Sequence, residues 1–211
     1  MLTVYLVEDD PLLARHVLDA LGRAEGIECV GHADRLAVAR AQLPVCRPQV
    51  LLSDLGLPDG DATELILELD ERSSSWHPHI LVFSVFGDES RVIQAIEAGA
   101  DGYFLKGCDD LELVRAVQGA ARGESPVSPA IARHLLKRFA APSDASGSSS
   151  SSGDLLSTVE QAVLKLVAQG YVTEEVGERL MLSPHVVATH VRAVYAKLQQ
   201  ARRGSSAQRV G

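Results

Sequence analysis

The first half of the chain holds the side chains best suited to chemistry, each placed just after a short apolar run. Glu8, Asp9 and Asp10 follow Leu2 to Val7, and Asp54 follows the run that ends at Ser53. Ser84 follows Ile80 to Phe83, and Lys106 follows Gly102 to Leu105. Several carboxylate oxygens in one cleft suit a hard, oxygen-preferring cation that keeps part of its water, namely Mg²⁺. With charge so neutralised, an Asp carboxylate can attack a phosphoryl group and form an acyl phosphate. A metal, an ammonium and a hydroxyl are then the groups that hold the phosphoryl oxygens. Each residue also has an ordinary reading. Glu8-Asp9-Asp10 ahead of Pro11 fits a solvated loop with a helix cap, Asp54 fits a turn, and Ser84 and Lys106 singly fit incidental positions. Their joint occurrence at four strand ends favours a shared pocket.

Such a pocket requires the apolar runs to be neighbouring strands. Leu2 to Val7, Ile27 to Ala33, Gln49 to Ser53, Ile80 to Phe83 and Gly102 to Leu105 read as five strands. Pro11 to Ala24, Arg35 to Leu43, Asp61 to Arg72, Glu89 to Ala98 and Leu111 to Arg122 carry apolar residues at helical spacing. This (βα)5 alternation predicts a doubly wound parallel sheet covered on both faces. Ligands of such sheets bind beyond the carboxyl ends of the strands, where Glu8, Asp54, Ser84 and Lys106 fall.

The rest of the chain differs in character. After a helical pattern over Ile131 to Phe139, residues 141–153 are rich in Pro, Ser and Gly, which predicts a flexible tether. Three helices are expected beyond it: one opened by Ser157 with Glu160 and stopped by Gly170, one capped by Thr173, and one opened by Ser183-Pro184 and running to about Leu198. The last two, joined by Met181-Leu182-Ser183, make a helix-turn-helix candidate. The expected division is residues 1–122, a linker helix and tether over 123–153, and an all-α domain over 154–211. Residues 1–122 hold 21 acidic and 10 basic side chains and residues 154–211 hold 5 and 7, so the net charge of −8 hides an acidic front and a mildly basic rear. The rear could meet a polyanion. Cys29, Cys46 and Cys108 lack the spacing of a disulfide framework or zinc site. With no apolar run of membrane-spanning length and no leader pattern, a cytoplasmic protein without membrane contact is expected.

Residues 2 to about 122 resemble the receiver domain of two-component response regulators. The resemblance rests on Val-Glu-Asp-Asp-Pro-Leu-Leu from Val7, Ser-Asp-Leu-Gly-Leu-Pro-Asp-Gly from Ser53, Phe83-Ser84, the segment Ala98 to Tyr103, and Phe104-Leu105-Lys106. It implies a flavodoxin-like fold in which Asp54 is the phosphoacceptor and Glu8 and Asp9 hold Mg²⁺ together with Asp54. It further implies that Ser84 is the switch hydroxyl, Tyr103 the switch aromatic and Lys106 the contact to the phosphoryl group. Gly107 stands where the family often has proline, and Val85 where alanine is common.

The rear segment is similar to the LuxR-type helix-turn-helix through Leu156-Ser157, Glu160, Val163-Leu164, Leu166 to Gly170, Val176, Glu178 to Leu180, Leu182-Ser183, His190-Val191, Tyr195 and Lys197-Leu198. The whole chain thus resembles the NarL/FixJ group. This implies a non-enzymatic regulator that takes its phosphoryl group from a sensor histidine kinase or phosphotransfer protein, forms a homodimer on activation and binds promoter DNA. In the third helix, Val187, Val191, Val194 and Leu198 form the expected buried stripe. Val186, Ala188, Ala193 and Ala196 join the candidate DNA contacts His185, Thr189 and Arg192 on the opposite face, and Lys197 is a further candidate contact. The family usually offers Lys-Thr-Val-Lys where this chain has His185-Val186-Val187-Ala188. Gly177 replaces a usual alanine, at about 1 kcal/mol of helix propensity, and Arg202, Arg203 and Arg209 are expected in a mobile basic tail. The alternative is a phosphorylation-controlled protein-interaction regulator whose reading helix has lost its hold on DNA.

Overall fold

The computed structural model describes residues 1–71, 76–85, 89–107, 109–140 and 156–207, divided into two compact units, Met1–Glu124 and Ser125–Gly211. In the first unit the order is β1 (Leu2–Val7), α1 (Pro11–Arg23), β2 (Ile27–Ala33), α2 (Leu36–Cys46), β3 (Val50–Ser53), β4 (Gly56–Leu57), β5 (Gly60–Asp61), α3 (Ala62–Glu71), β6 (His79–Ser84), α4 (Glu89–Ala98), β7 (Gly102–Leu105) and α5 (Asp110–Ala121). The main sheet has the order β2-β1-β3-β6-β7, with every pairing parallel. Winding goes outward from β1 in both directions, so the switch in strand order lies between β1 and β3, where ligands of such sheets bind.

Alternation along β1 divides its side chains between the two faces. Val4 and Leu6 join Ala14, Val17, Ala20 and Leu21 of α1, Leu113, Val117 and Ala120 of α5, and Leu52, Leu81 and Phe83 in one core cluster. Tyr5, also fully buried, donates its hydroxyl to Gln42 Oε1 at 2.6 Å. Its ring lies against Gly31 of β2, where a Cβ would come within 2.5 Å, so only glycine fits there.

Asp59 connects the loop after β3 to α2. Arg35 offers α2 no capping side chain, and the Leu36 and Ala37 N–H groups donate instead to the Asp59 carboxylate at 2.8 and 2.9 Å. Two helix ends differ from expectation. α2 continues past Pro44, which has no N–H to donate to Arg40 O, and the Arg47 N–H closes the helix end onto Leu43 O at 2.9 Å. α3 starts after Asp61, which accepts from the Thr63 N–H at 2.8 Å as its cap.

The second unit holds α6 (Pro129–Ala140), α7 (Thr158–Ala168), α8 (Thr173–Leu180) and α9 (Pro184–Ala207). α6, expected as part of a linker, packs on α7 through a side that buries Ile131, Ala132 and Leu135. Arg133 Nη1 donates to Ala168 O at 2.8 Å, and the Tyr195 hydroxyl donates to Pro126 O at 2.9 Å. The division between units therefore falls after Glu124, and the expected tether over 141–153 lies outside the described residues.

Ser157 and Glu160 form the expected capping box on α7. On α8 the cap position is Val172 rather than Thr173, and Glu175 reaches back to accept from the Val172 N–H at 3.1 Å. Met181, with φ 55°, turns the chain out of α8, and the Leu182 N–H closes onto Gly177 O at 2.8 Å. A Cβ on Gly177 would lie 2.6 Å from the Leu182 carbonyl oxygen, so glycine is the residue this turn requires. Gly177→Ala should therefore destabilise the rear unit by about 1–3 kcal/mol despite alanine's better helix propensity. A lower unfolding midpoint is the expected result, and a raised one would contradict the tight turn.

Candidate functional site

Register brings the acidic residues together. Val7 of β1 pairs with Ser53 of β3, so Glu8 and Asp54 leave neighbouring strands side by side. Ser84 pairs with Leu105, so Lys106 emerges from the strand beside β6. Backbone hydrogen bonds fix both acidic ends: the Asp54 N–H donates to Val7 O at 2.8 Å and the Glu8 N–H to Ala33 O at 3.0 Å. The Lys106 ammonium lies 2.8 Å from Glu8 Oε2 and 3.0 Å from Asp54 Oδ2. Glu8, Asp9 and Asp54 each turn an oxygen into one cluster, all within 4.8 Å of one another. Asp54 Oδ1 accepts from the Leu55 N–H at 2.7 Å, which orients the carboxylate. Phe83 lies under the ammonium, 5.5 Å from ring centroid to Nζ, and stacks on Phe104.

The electrostatics of this pocket are strained. Burial pushes the Glu8 carboxyl above the usual carboxylate range, opposed by Lys106 and the Asp10 N–H and reinforced by the Asp54 charge. For Lys106, burial alone would lower the pKa, but the Glu8 and Asp54 carboxylates beside it outweigh burial and hold the ammonium above its ordinary value. Lys106 therefore stays charged through neutral pH. Its approach to Glu8 is oblique, and Glu8 Oε2 is a buried oxygen without a hydrogen bond. A buried, incompletely satisfied carboxylate beside two others fits a divalent cation, which would offset the mutual repulsion and the cost of burial.

The neighbouring residues take separate tasks. Asp10 caps α1, its Oδ1 accepting from the Leu12 and Leu13 N–H groups at 2.8 and 3.1 Å. The Ser84 side chain lies outside the described residues, although its backbone sits at the expected strand end. Tyr103 is already buried, at 8% exposure, so the structure shows the ring packed rather than turned out to solvent. Gly107 has φ +89°, a conformation in which glycine is unstrained, and Val85 is exposed.

In the rear unit the expected stripe of α9 is buried, with Tyr195 added to it. His185, Thr189 and Arg192 are exposed. Lys197 departs from its expected part: its ammonium lies 2.7 Å from Glu160 Oε2, a carboxylate with a 6% exposed side chain that also accepts from the Ser157 N–H. It fastens α9 to α7. The expected mobile tail is also corrected. α9 runs on to Ala207, carrying Arg202 and Arg203 in helix, because Gln199 to Arg203 are good helix formers with no breaker among them. Arg209 lies outside the described residues.

Comparison with known proteins agrees with both halves. Residues 4–118 match the response regulator receiver domain family, and residues 154–209 match the luxR family of bacterial regulatory proteins. The chain is 30% identical over 207 residues to the DNA-binding transcriptional activator DevR/DosR of Mycobacterium tuberculosis, covering 98% of this chain and 93% of that one. It belongs to the NarL/FixJ group of two-component response regulators. The nitrate/nitrite response regulator protein NarL of Escherichia coli is 31% identical over 197 residues, covering 93% of this chain and 89% of that protein. Among solved structures, the receiver domain of the response regulator NarL from Mycobacterium tuberculosis superposes with a TM-score of 0.54 at 30% identity, covering 58% of this chain and 97% of that one.

As a response regulator, the protein is a transcription regulator and not an enzyme, and its family works with sensor kinases and DNA. Among the described residues no helix is long and apolar enough to cross a membrane. Glu160 stands out in the sequence as a capping residue and part of the helix-turn-helix pattern, while its partner Lys197 lies 37 positions away with no local pattern to join them. Burial raises the Glu160 pKa, but Lys197 and the Ser157 N–H outweigh it and hold the carboxyl below the usual range. A depressed folded pKa contributes stability above the unfolded value and loses it as pH falls through the folded one. The stability lead of wild type over Glu160→Gln should therefore be full at pH 7 and shrink below pH 4.5. Unfolding midpoints of both proteins across that range check this, and a constant gap would contradict it.

Proposed function

We propose that Asp54 is the phosphoacceptor and that its phosphorylation controls DNA binding by the rear unit. The observation that carries this reading is the Lys106 ammonium set 2.8 Å from Glu8 and 3.0 Å from Asp54 at three separate strand ends. Glu8, Asp9 and Asp54 are the residues that would hold Mg²⁺, which supplies charge neutralisation for an incoming phosphoryl group. The Asp54 carboxylate forms the new O–P bond while the donor's bond to phosphorus breaks and the donor leaves with its electron pair. Lys106, held charged, attracts the phosphoryl oxygens, and Ser84 at the end of β6 is the proposed switch hydroxyl. With Tyr103 already buried, its part in the switch is to exchange packing partners rather than to move in from solvent.

The donor is a sensor histidine kinase or a phosphotransfer protein, the location is cytoplasmic, and activation favours a homodimer. Residues 1–122 serve as receiver and residues 154–211 as the DNA-binding domain, with α6 packed on its first helix. Duplex DNA is the partner of the exposed His185, Thr189 and Arg192. Lys197 is left out because Glu160 occupies its ammonium. A second reading, a protein-interaction output, is favoured by Met181 at 93% exposure and Val186 at 37%, beside the exposed Glu174, Glu175 and Glu178 of α8.

Labelling with a small phosphodonor tests the site. Wild type should take up the phosphoryl group only with Mg²⁺, Asp54→Asn should take up none, and Lys106→Ala should lose about 100-fold or more in rate. Equal labelling of Asp54→Asn, or full labelling in excess chelator, would refute the assignment.

A further inference from the structure

α9 is one unbroken helix of 24 residues, and its cations do not share a single face. Its first half is seated by Val187, Val191, Val194, Tyr195 and Leu198. Beyond Leu198 the two adjacent arginines diverge: Arg202 is half-buried, with its Nε enclosed, whereas Arg203 is exposed. At about 100° per residue, Arg203 lies about 20° from Arg192 around the helix after three turns, and it eclipses His185 after five. The exposed residues His185, Thr189, Arg192 and Arg203 therefore form one continuous line.

The chemistry of that line is one-signed. From Pro184 to Ala207 the chain has no Asp or Glu but carries Arg192, Lys197, Arg202 and Arg203, in a protein of net charge −8. Length then decides what Arg203 can meet. It stands about 16 Å further along the axis than Arg192, and the major groove is only about 12 Å wide. With His185 and Arg192 in the groove and the helix axis crossing it, Arg203 lies beyond the groove's width, over the sugar–phosphate wall.

We infer that Arg203 is a phosphate clamp, so that α9 reads bases with its first half and grips the backbone with its far end. This rests on the DNA-binding reading of the rear unit. It separates two functions that a short helix would combine, and it supplies a charge that the sparsely basic first half lacks. Phosphate contacts fix register and strengthen binding on every sequence, whereas groove contacts choose among sequences.

The test is the salt dependence of full-length protein on a fluorescent random-sequence duplex, followed by anisotropy. Arg203→Ala should reduce the slope of log affinity against log salt by about 0.9, so that the wild-type advantage shrinks about three- to fourfold between 50 and 200 mM salt. Arg203→Lys should keep the wild-type slope, and Arg202→Ala should leave it unchanged, because that side chain faces inward. If wild type binds and Arg203→Ala has the same slope, the clamp is refuted while the DNA reading stands. A wild type that binds no duplex even at low salt overturns both. Loss of slope in Arg203→Lys, or in Arg202→Ala, would overturn the assignment of the clamp to the Arg203 charge.

Discussion

The Lys106 ammonium, held between the Glu8 and Asp54 carboxylates, is the contact on which the receiver depends. Two carboxylates so near each other and so little solvated repel strongly, and each disfavours the ionisation of the other. Lys106 relieves this without removing it, as the raised Glu8 pKa and the unsatisfied Glu8 Oε2 record. The site is thus stable enough to fold while keeping negative charge that a cation would neutralise. The order β2-β1-β3-β6-β7 matters because it delivers Glu8, Asp54 and Lys106 from three strands to one point. Tyr5 over Gly31, and Asp59 on the end of α2, hold the surrounding layers at the spacing this requires.

The rear unit repeats the device in a structural role. Glu160 and Lys197 join the start of α7 to the middle of α9, while Gly177 lets the turn between α8 and α9 close without a clash. Buried pairs of this kind contribute less net stability than specificity of arrangement, since desolvation consumes much of the attraction. Here they define how α9 is presented. Stiffness along α9 then decides which of its side chains can act together.

Much of this was legible in the sequence because strand ends, caps and apolar periods are local signals. The five main strands, the Asp10 and Ser157 caps and the pocket residues all follow from patterns within a few positions. What escaped depends on distant partners. Nothing near Lys197 indicates that Glu160 will occupy it, nothing near Arg35 indicates that Asp59 will cap α2, and the value of Gly177 lies in a carbonyl five residues on. The chain beyond Leu198 offers few apolar residues, yet Gln199 to Arg203 propagate helix well from the seated turns before them. Likewise the position of α6 just before the Pro, Ser and Gly stretch suggests a connector, yet Ile131, Ala132 and Leu135 seat it on α7.

The central claim is that charge placed on Asp54 is felt by the DNA-binding unit. It is tested most directly by measuring duplex affinity of the full chain at fixed salt, with and without a beryllofluoride mimic of the phosphoryl group in the presence of Mg²⁺. The account predicts a gain of about fivefold or more, the lower end of ordinary coupling between sites, and no change in Asp54→Asn. Equal affinity of wild type with and without the mimic, or the same gain in Asp54→Asn, would contradict it.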